Sequence, residues 1–393
     1  MLAALVPVTA LLASVFVLIA GHGLTSTLIP LAGSSFGFSD SSIGLVGSAY
    51  FAGMLAGSFT VAYILRAAGH IRAFSALSAL TMAITLVMPM VAEPGPWIGL
   101  RAAHGFCIAA LYTTIESWLN TRTHKDWRTR VLGVYNIMHF AGSAAGQQAL
   151  TFIPPTDFRL FSLAALLMGL SVLPLCFTRA EPPAPPEGKR LRLGWLWSIA
   201  PASAVTAFLI GWANGSFWSL APLWGSKIGF TPTEIAIFIT SVIFGCAAAQ
   251  LPAGYVGDRM DRRVVLAGFA ALATFCSLLL AFITNLATAA TVGLIYGTAL
   301  PTLYVMCSAH ANDRAGPHRA VEVSSSVLFL YCLGALVGPA LTASLMNRPG
   351  PFILYLINSA VYGMMFAYIV VRIRTREKVE AITPVEPEPV RVK

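Results

Sequence analysis

Apolar runs of about 20 residues recur along the whole chain, and short polar clusters separate them. A run of this length can cross the hydrocarbon core of a bilayer as one helix. Only 10% of the 393 residues are charged and 57% are hydrophobic, whereas about a quarter of the residues in soluble domains are charged. The pattern predicts an all-α membrane protein with about twelve transmembrane helices and no separate soluble domain.

The first apolar run, residues 1–31, has neither the positively charged start nor the small-residue cleavage site of a signal peptide. We therefore expect this run to be retained as the first helix. The six cysteines all fall inside apolar runs, so we expect no disulfides. No motif indicates a cofactor or a resident metal ion.

The basic residues give the chain a net charge of +9 and are concentrated in alternate loops. These basic stretches are residues 66–72, 122–130, 179–192, 259–263, 314–319 and 372–393. The intervening loops hold only Arg159, Lys227 and Arg348. Because cytoplasmic loops are enriched in Lys and Arg, this asymmetry predicts that both termini are cytoplasmic. The charge therefore indicates topology and not nucleic-acid binding, and we expect a monomer embedded in a lipid bilayer.

A proline-rich stretch, "RAEPPAPPEGKR" at residues 179–190, is typical of a flexible linker. The sequences on its two sides align at one constant offset (229 − 37 = 192) without insertions. This repeat offset superposes Gly37-Phe38 on Gly229-Phe230, Pro30-Leu31 on Pro222-Leu223, and Asn120 on Asn312. We therefore predict two parallel six-helix repeats: a bundle at 1–178, a linker at 179–194, a second bundle at 195–372 and a tail at 373–393.

Several short motifs resemble the major facilitator superfamily of transporters. "GYVGDRMDRR", Gly254 to Arg263, resembles its G-x-x-x-D-R-x-G-R-R loop, although Asp261 stands where the pattern has glycine. "RAAHG", Arg101 to Gly105, is similar to the R-x-x-x-G pattern of its fourth helix, and "GFSDSSIG" is similar to its first external loop. "GHIRAF", "IESWLN" and "SAHANDR" resemble the little-characterised YcaD-type branch of bacterial members. The resemblance covers essentially the whole chain and implies two bundles that rock around a solute site near the midplane, without naming a substrate.

The two halves differ in the ionisable residues that their apolar runs carry. At five pairs the first half has a titratable residue and the second a neutral one: Arg101 and Gly293, His104 and Tyr296, Glu116 and Ser308, His22 and Asn214, and His139 and Tyr331. A charge at the bilayer centre costs about 2.5–3.5 kcal/mol, so such residues usually line a water-filled cavity. Helical periodicity lets them share inward faces of the first, fourth and fifth helices.

We predict that this set couples transport to protons. Histidine changes its charge near neutral pH, and a carboxylate can be ionised in one access state and protonated in the other. The alternative is that Arg101 and Glu116 are structural residues near the outer and inner headgroups. The predicted coupling and cavity residues are His22, Arg101, His104, Tyr112, Glu116, Asn136 and His139.

The second half offers aromatic ring faces and hydroxyl groups instead. Such surfaces hold flat or amphiphilic organic molecules, and cations, through stacking and cation–π contacts. We predict a small-molecule site there, and ordinary helix packing is the alternative. The predicted substrate-binding residues are Asn214, Phe217, Trp218, Tyr296, Tyr304 and Tyr331.

The resemblance also implies a cytoplasmic gate, in which the motif loop of one bundle rests against a helix start of the other. At the repeat offset, Arg66 takes the place of Asp258, and Arg130 takes the place of Glu322. The predicted contacts, Asp258 with Arg130 and Arg66 with Glu322, join opposite charges, and exposed pairs contribute only about 0–1 kcal/mol. The predicted gate residues are Arg66, Arg130, Asp258, Arg259, Arg262 and Glu322.

Other functions stay open at this point. A copper or other metal-ion carrier is one, because His104 and Cys107 lie three residues apart and Met138-His139 could face them. Thiol and thioether side chains are, however, common core fillers. An intramembrane enzyme is disfavoured because the sequence has no recognisable nucleophile motif, and a transporter-fold sensor because the tail is too short for a signalling domain. The sequence names neither the cargo nor the direction of transport.

Overall fold

The computed structural model of the protein describes residues 9–122, 127–176, 188, 190–316, 319–346 and 350–375, except the side chains at 122, 128, 129, 251 and 258. Within these ranges the regular structure is helical and contains no strand. Most of the predicted linker, residues 179–187 and 189, and the tail from residue 376 lie outside the described residues.

In the described part of the first half there are six longer helices and one short one. They are α1 (Thr9–Ser35), α2 (Asp40–Ala68), α3 (His70–Val87), α4 (Pro94–Arg122), α5 (Arg128–Gln147), α6 (Phe158–Leu170) and the short α7 (Leu173–Cys176). Short 3-10 turns follow α3 at Met88–Met90 and α5 at Gln148–Thr151.

The second half begins with a short helix that is sharply bent against the next one. Its helices are α8 (Leu193–Ile199), α9 (Pro201–Lys227), α10 (Pro232–Arg259), α11 (Arg262–Leu280), α12 (Leu286–Ala315), α13 (Ala320–Met346) and α14 (Ile353–Thr375). The bend between α8 and α9 is 117°. Pro201 lies in the first turn of α9, where its missing N–H interrupts no helical hydrogen bond.

Ten of the described helical segments are long and apolar enough to cross a membrane, or eleven if the bent pair α8–α9 counts as one span. The helix α5 is not among them, because Asn136, His139 and Gln147 lower its hydropathy. The chain is thus an all-α, multi-pass membrane protein, and the number twelve stays a prediction.

Matching turns precede α2 and α10. Gly37 and Gly229 have φ angles of 80° and 92°, a region that glycine adopts at little cost. Two residues later, Ser39 and Thr231 cap the helices by accepting a backbone N–H with the side-chain oxygen. The two turns are related by the repeat offset.

Glycines allow helices within each half to touch backbone to backbone. A methyl group at Gly53 or Gly105 would overlap a carbonyl oxygen of the neighbouring helix, so α2 and α4 are in direct contact. Gly142 and Gly146 bring α5 equally close to α1. The glycines at the repeat offset make the same contacts between α10 and α12 and between α9 and α13: Gly245, Gly297, Gly334 and Gly338.

The halves meet along α2 and α13 and at one end of the bundle, which carries residues 36–39 and 228–231. The charge pattern predicts this to be the outer end. Asp40 pairs with Lys227 there, and Ser48 Oγ accepts the backbone N–H of Ala340 at 3.1 Å. Gln148 Nε2 donates to Thr240 Oγ1 at 3.1 Å. Polar contacts therefore join the two halves at the predicted outer end.

Candidate functional site

Four residues of the first half converge between α1, α2 and α4. Arg101 Nη1 donates to His104 Nδ1 at 3.0 Å, and the Arg101 guanidinium lies 4.4 Å from the centre of the Tyr50 ring. The Tyr50 hydroxyl lies 3.3 Å from His22 Nε2, and the His22 ring stacks at 5.7 Å on His104. We call these residues, His22, Tyr50, Arg101 and His104, the histidine–arginine cluster.

The cluster is buried without a carboxylate. Arg101 is 7% exposed and His104 is fully buried. No Asp or Glu of the described residues lies within ion-pair distance of Arg101, which instead contacts an aromatic face and an imidazole. Three of the buried nitrogens have no hydrogen-bond partner among the described residues: His22 Nδ1, Arg101 Nε and His104 Nε2. A buried polar group without a partner is costly, so the cluster has unused capacity to bind a proton or a polar ligand.

Arg101 also lines a cavity between the two halves. The cavity has a volume of about 330 Å³ and is lined by residues of α1, α2 and α4 together with Trp218 and Ser219 of α9. Arg101 and Trp218, one from each predicted set, therefore face one space.

Ring contacts extend the cluster toward α5. The Tyr112 ring lies 6.2 Å from His22 and 5.6 Å from His139. Asn136 is half-buried about one turn before His139. Glu116 is exposed and lies one helical turn after Tyr112, close enough to interact electrostatically with Tyr112 and Tyr135. The structure therefore brings the predicted coupling residues together, with Glu116 and Asn136 at the edge of the group.

Tyr50 is the member that the sequence interpretation missed. A tyrosine in an apolar run is ordinary helix composition, so nothing in its local sequence distinguishes it. At the repeat offset, however, Tyr50 corresponds to Val242. A titratable residue of the first half again corresponds to a neutral residue of the second, and this was the difference that selected the other candidates. The repeat comparison thus contained a signal that pointed to Tyr50.

The predicted substrate residues of the second half divide into two groups. Phe217 and Tyr296 are fully buried, pack at 5.3 Å on each other, and belong to the core of this half. Asn214 Oδ1 accepts from the Tyr362 hydroxyl at 2.9 Å within the same core. The half-buried residues of the set are Trp218, which lines the cavity, and Tyr304 and Tyr331, whose rings meet at 5.1 Å.

The predicted gate is only partly described. Arg66 is exposed and Glu322 half-buried, and no ion pair joins these two described side chains. The side chain of Asp258 lies outside the described residues, so its predicted contact with Arg130 stays a prediction.

The other gate residues have local partners. The Arg130 guanidinium lies 4.8 Å from the Trp127 ring. Arg262 Nε lies 2.5 Å from Asp313 Oδ2, and the Arg259 guanidinium lies 3.8 Å from the Tyr255 ring. These contacts lie at the ends of α5, α10 and α12, on the side opposite the Asp40–Lys227 pair.

The ligand set considered for copper does not converge. His104 faces Arg101 and His22, whereas the Cys107 thiol is hydrogen-bonded to Thr81 of α3. The described residues contain no group of three or more His, Cys, Asp and Glu side chains arranged to hold a metal ion. The geometry therefore gives the metal-carrier alternative no support.

An all-helical membrane bundle with a buried polar cluster beside a cavity between its halves is consistent with a solute transporter. The chain belongs to the Major Facilitator Superfamily, since the sequence model of that family matches residues 11–200 and 203–392. The family resemblance of the sequence motifs is thereby confirmed.

Relatives of similar length belong to the branch that the motifs indicated. The chain is 25% identical over 372 residues to the uncharacterised MFS-type transporter YcaD of Escherichia fergusonii, covering 94% of this chain and 95% of the relative. It is 26% identical over 386 residues to an uncharacterised MFS-type transporter of Enterobacter sp. strain 638, covering 96% and 98%. These relatives are named as transporters, and no catalytic activity is indicated for them.

Solved structures of transporters share the fold. A bacterial homologue of the human lysosomal transporter Spinster, inward-facing and unoccupied, aligns with a TM-score of 0.70 at 16% identity over 93% of this chain and 95% of that chain. The nucleoside transporter NupG aligns with a TM-score of 0.74 at 12% identity over 94% and 100%. At these identities the likeness concerns the fold alone.

Proposed function

We propose that the protein is a proton-coupled secondary transporter that moves a small organic solute across the bacterial inner membrane by alternating access. The observation that carries the proposal is the histidine–arginine cluster, a set of titratable and cationic side chains whose Arg101 lines a cavity between the two halves. The described residues contain no comparable site that would support a function carried out outside the membrane.

We further propose the predicted organisation of twelve spans in two parallel repeats, with bundles at 1–178 and 195–372. The glycine contacts that recur at the repeat offset support it, because unrelated halves would not place close contacts at equivalent positions. Both termini are cytoplasmic in this proposal, and the protein acts as a monomer that binds its solute, protons and lipid, but no nucleic acid.

The cargo of the proposed transporter carries a negative charge. The guanidinium of Arg101 lines the cavity with no described carboxylate in ion-pair distance, so an anionic group of the solute would supply the missing counter-charge. Trp218 on the opposite wall offers a flat apolar surface to the rest of the molecule. A small carboxylate with an apolar or aromatic body fits both walls.

Proton coupling follows from the same geometry. A proton on His104 or His22 puts a second positive charge beside Arg101, which is unfavourable in a buried site. A bound anion offsets that repulsion, so proton and solute bind better together than alone. Coupling of this kind requires no carboxylate among the four residues of the cluster.

The experiment uses purified protein in liposomes that contain a trapped pH-sensitive dye. A panel of organic acids is added outside, and each solute that moves protons is then tested with an imposed inward proton gradient. We expect Arg101→Gln and His104→Gln to abolish solute-driven proton movement. His70→Gln is the matched control, because His70 is a buried histidine of the same half that bonds Ser117 Oγ at 3.1 Å, outside the cluster. Solute transport that ignores the proton gradient contradicts the coupling.

A further inference from the structure

A second cavity lies at the other end of the molecule, inside the second half. It is partly open to solvent and lies at the corner where α8 and α9 meet. Four cationic or titratable side chains from three helices line it, and none of its described lining residues is acidic. These side chains are Arg263, His310, Arg314 and Arg372, and the cavity together with them is called the basic cavity.

The charges around the basic cavity are mostly positive. Arg263 is 4% exposed and is held by Asp261, with Nη2 and Oδ2 at 2.8 Å. Partial burial raises the pKa of Asp261, but the hydrogen bonds from Arg263 lower it by more, so this pKa lies below its ordinary value. Asp313, the other carboxylate nearby, pairs with Arg262. Both described carboxylates are therefore engaged, and the guanidinium of Arg372 has no ion pair or hydrogen bond to a described residue.

Two further features point to an anion. His310 is 8% exposed, lines the cavity, and forms no hydrogen bond with the described residues, so its ring has polar capacity available there. Residues 199–202 form another wall, and this is the start of the 27-residue helix α9. No side chain caps that helix start, and the amino end of a long helix attracts anions.

We propose that the basic cavity binds a phosphate group, either the headgroup of an acidic phospholipid or inorganic phosphate. Guanidinium groups match the geometry of phosphate oxygens and donate several hydrogen bonds to them. The cavity lies at the end of the bundle that the charge pattern predicts to be cytoplasmic. This site is separate from the histidine–arginine cluster, so the proposal does not depend on the proposed transport function.

The test compares two phosphate sources on detergent-purified protein. In the first arm, the melting temperature is measured against inorganic phosphate at constant ionic strength set with chloride. In the second arm, native mass spectrometry counts retained phosphatidylglycerol against phosphatidylcholine added at equal concentration. We expect saturable protection by phosphate, or retention of phosphatidylglycerol alone, in the wild type. The arm that responds identifies the source.

The variants are Arg372→Gln and His310→Asn, and the control is Arg374→Gln. Arg374 is an exposed residue two positions along the same helix and does not line the basic cavity. Arg374→Gln therefore removes the same charge as Arg372→Gln without removing a side chain that would contact the phosphate. Loss of one charge-assisted hydrogen bond should weaken binding about tenfold in Arg372→Gln, and Arg372→Lys should recover part of it. The Arg374→Gln control should stay within about twofold. The proposal is overturned if neither source binds the wild type, or if Arg372→Gln binds as the wild type does, or if Arg374→Gln loses as much.

Discussion

The glycine beside His22 allows a prediction with a matched internal control. A Cβ atom at Gly23 would lie 2.7 Å from the Ser143 carbonyl oxygen of α5, and one at the equivalent Gly215 would lie 2.7 Å from Ala335 Cα of α13. Since real Cβ contacts are essentially never below 3.0 Å, each alanine must separate its helix pair by at least a few tenths of an ångström. The steric perturbation is therefore nearly the same in the two halves.

The cost can be estimated from two opposing effects. Overpacking a tight contact costs about 1–3 kcal/mol. Replacing glycine with alanine inside a helix returns about 1 kcal/mol of helix propensity. The net destabilisation is about 0–2 kcal/mol for either variant, which lowers the melting temperature by a few degrees. Gly99→Ala serves as the control, because it gains the same helix propensity while nothing lies within 4 Å of a Cβ atom there, so any difference from it reports the steric clash.

The two variants should differ in function. The hydrogen bond between His22 Nε2 and the Tyr50 hydroxyl is already 3.3 Å long, so a shift of α1 by a few tenths of an ångström takes it beyond bonding range. We expect Gly23→Ala to lose most solute-driven proton movement in the liposome assay, and Gly215→Ala to retain it. If the two variants melt alike but Gly23→Ala transports normally, the role of His22 in coupling is refuted. If both variants melt at the same temperature as Gly99→Ala, which has the propensity gain without the clash, the helix contact itself is wrong.

Three other predictions concern charged contacts. Asp261→Asn should have a lower melting temperature than the wild type at pH 7. Because folding lowers the pKa of this carboxylate, the difference in melting temperature should narrow as the pH falls below about 4 and be lost near the folded-state pKa. A cysteine introduced into the predicted outer cavity can be labelled with a membrane-impermeant thiol reagent, and Lys227→Met and Asp40→Asn should each increase this labelling. Unchanged labelling in both variants would exclude a gating role for the Asp40–Lys227 pair. Arg66→Glu should bias the carrier toward the inward-open state, and adding Glu322→Arg should restore the balance; an unrestored double variant in the same labelling assay argues against the predicted gate.

Much of the fold could be predicted because bilayer physics leaves few options. Apolar runs of spanning length can only be helices, and the basic loops orient them. The repeat offset was readable because it superposes glycines, and the structure explains why those residues matter: each permits a backbone contact that a methyl group would block. The number of membrane-spanning helices was harder to predict. The polar residues of α5 lower its hydropathy, and the bend before Pro201 divides another apolar segment into two helices.

The site was predictable where a residue is unusual for its surroundings. Arg101 and His104 stand out in an apolar run, and both lie in the cluster. Phe217 and Tyr296 were indistinguishable from core aromatics because both roles use the same side chains. The basic cavity was not predictable, since Arg263, His310 and Arg372 come from separate helices and the two arginines were explained as topology signals.

The glycine contacts also determine which parts of the molecule can move independently. With no room for a single methyl group between them, α2 cannot slide along α4, nor α1 along α5, without a carbonyl oxygen colliding with the opposite chain. Each pair therefore travels as a solid piece, and the same holds for the corresponding pairs of the second half. A ligand that moves Arg101 on α4 therefore also moves α2, which carries Asp40. Ligand binding inside the bundle consequently changes the contact between Asp40 and Lys227 at the surface.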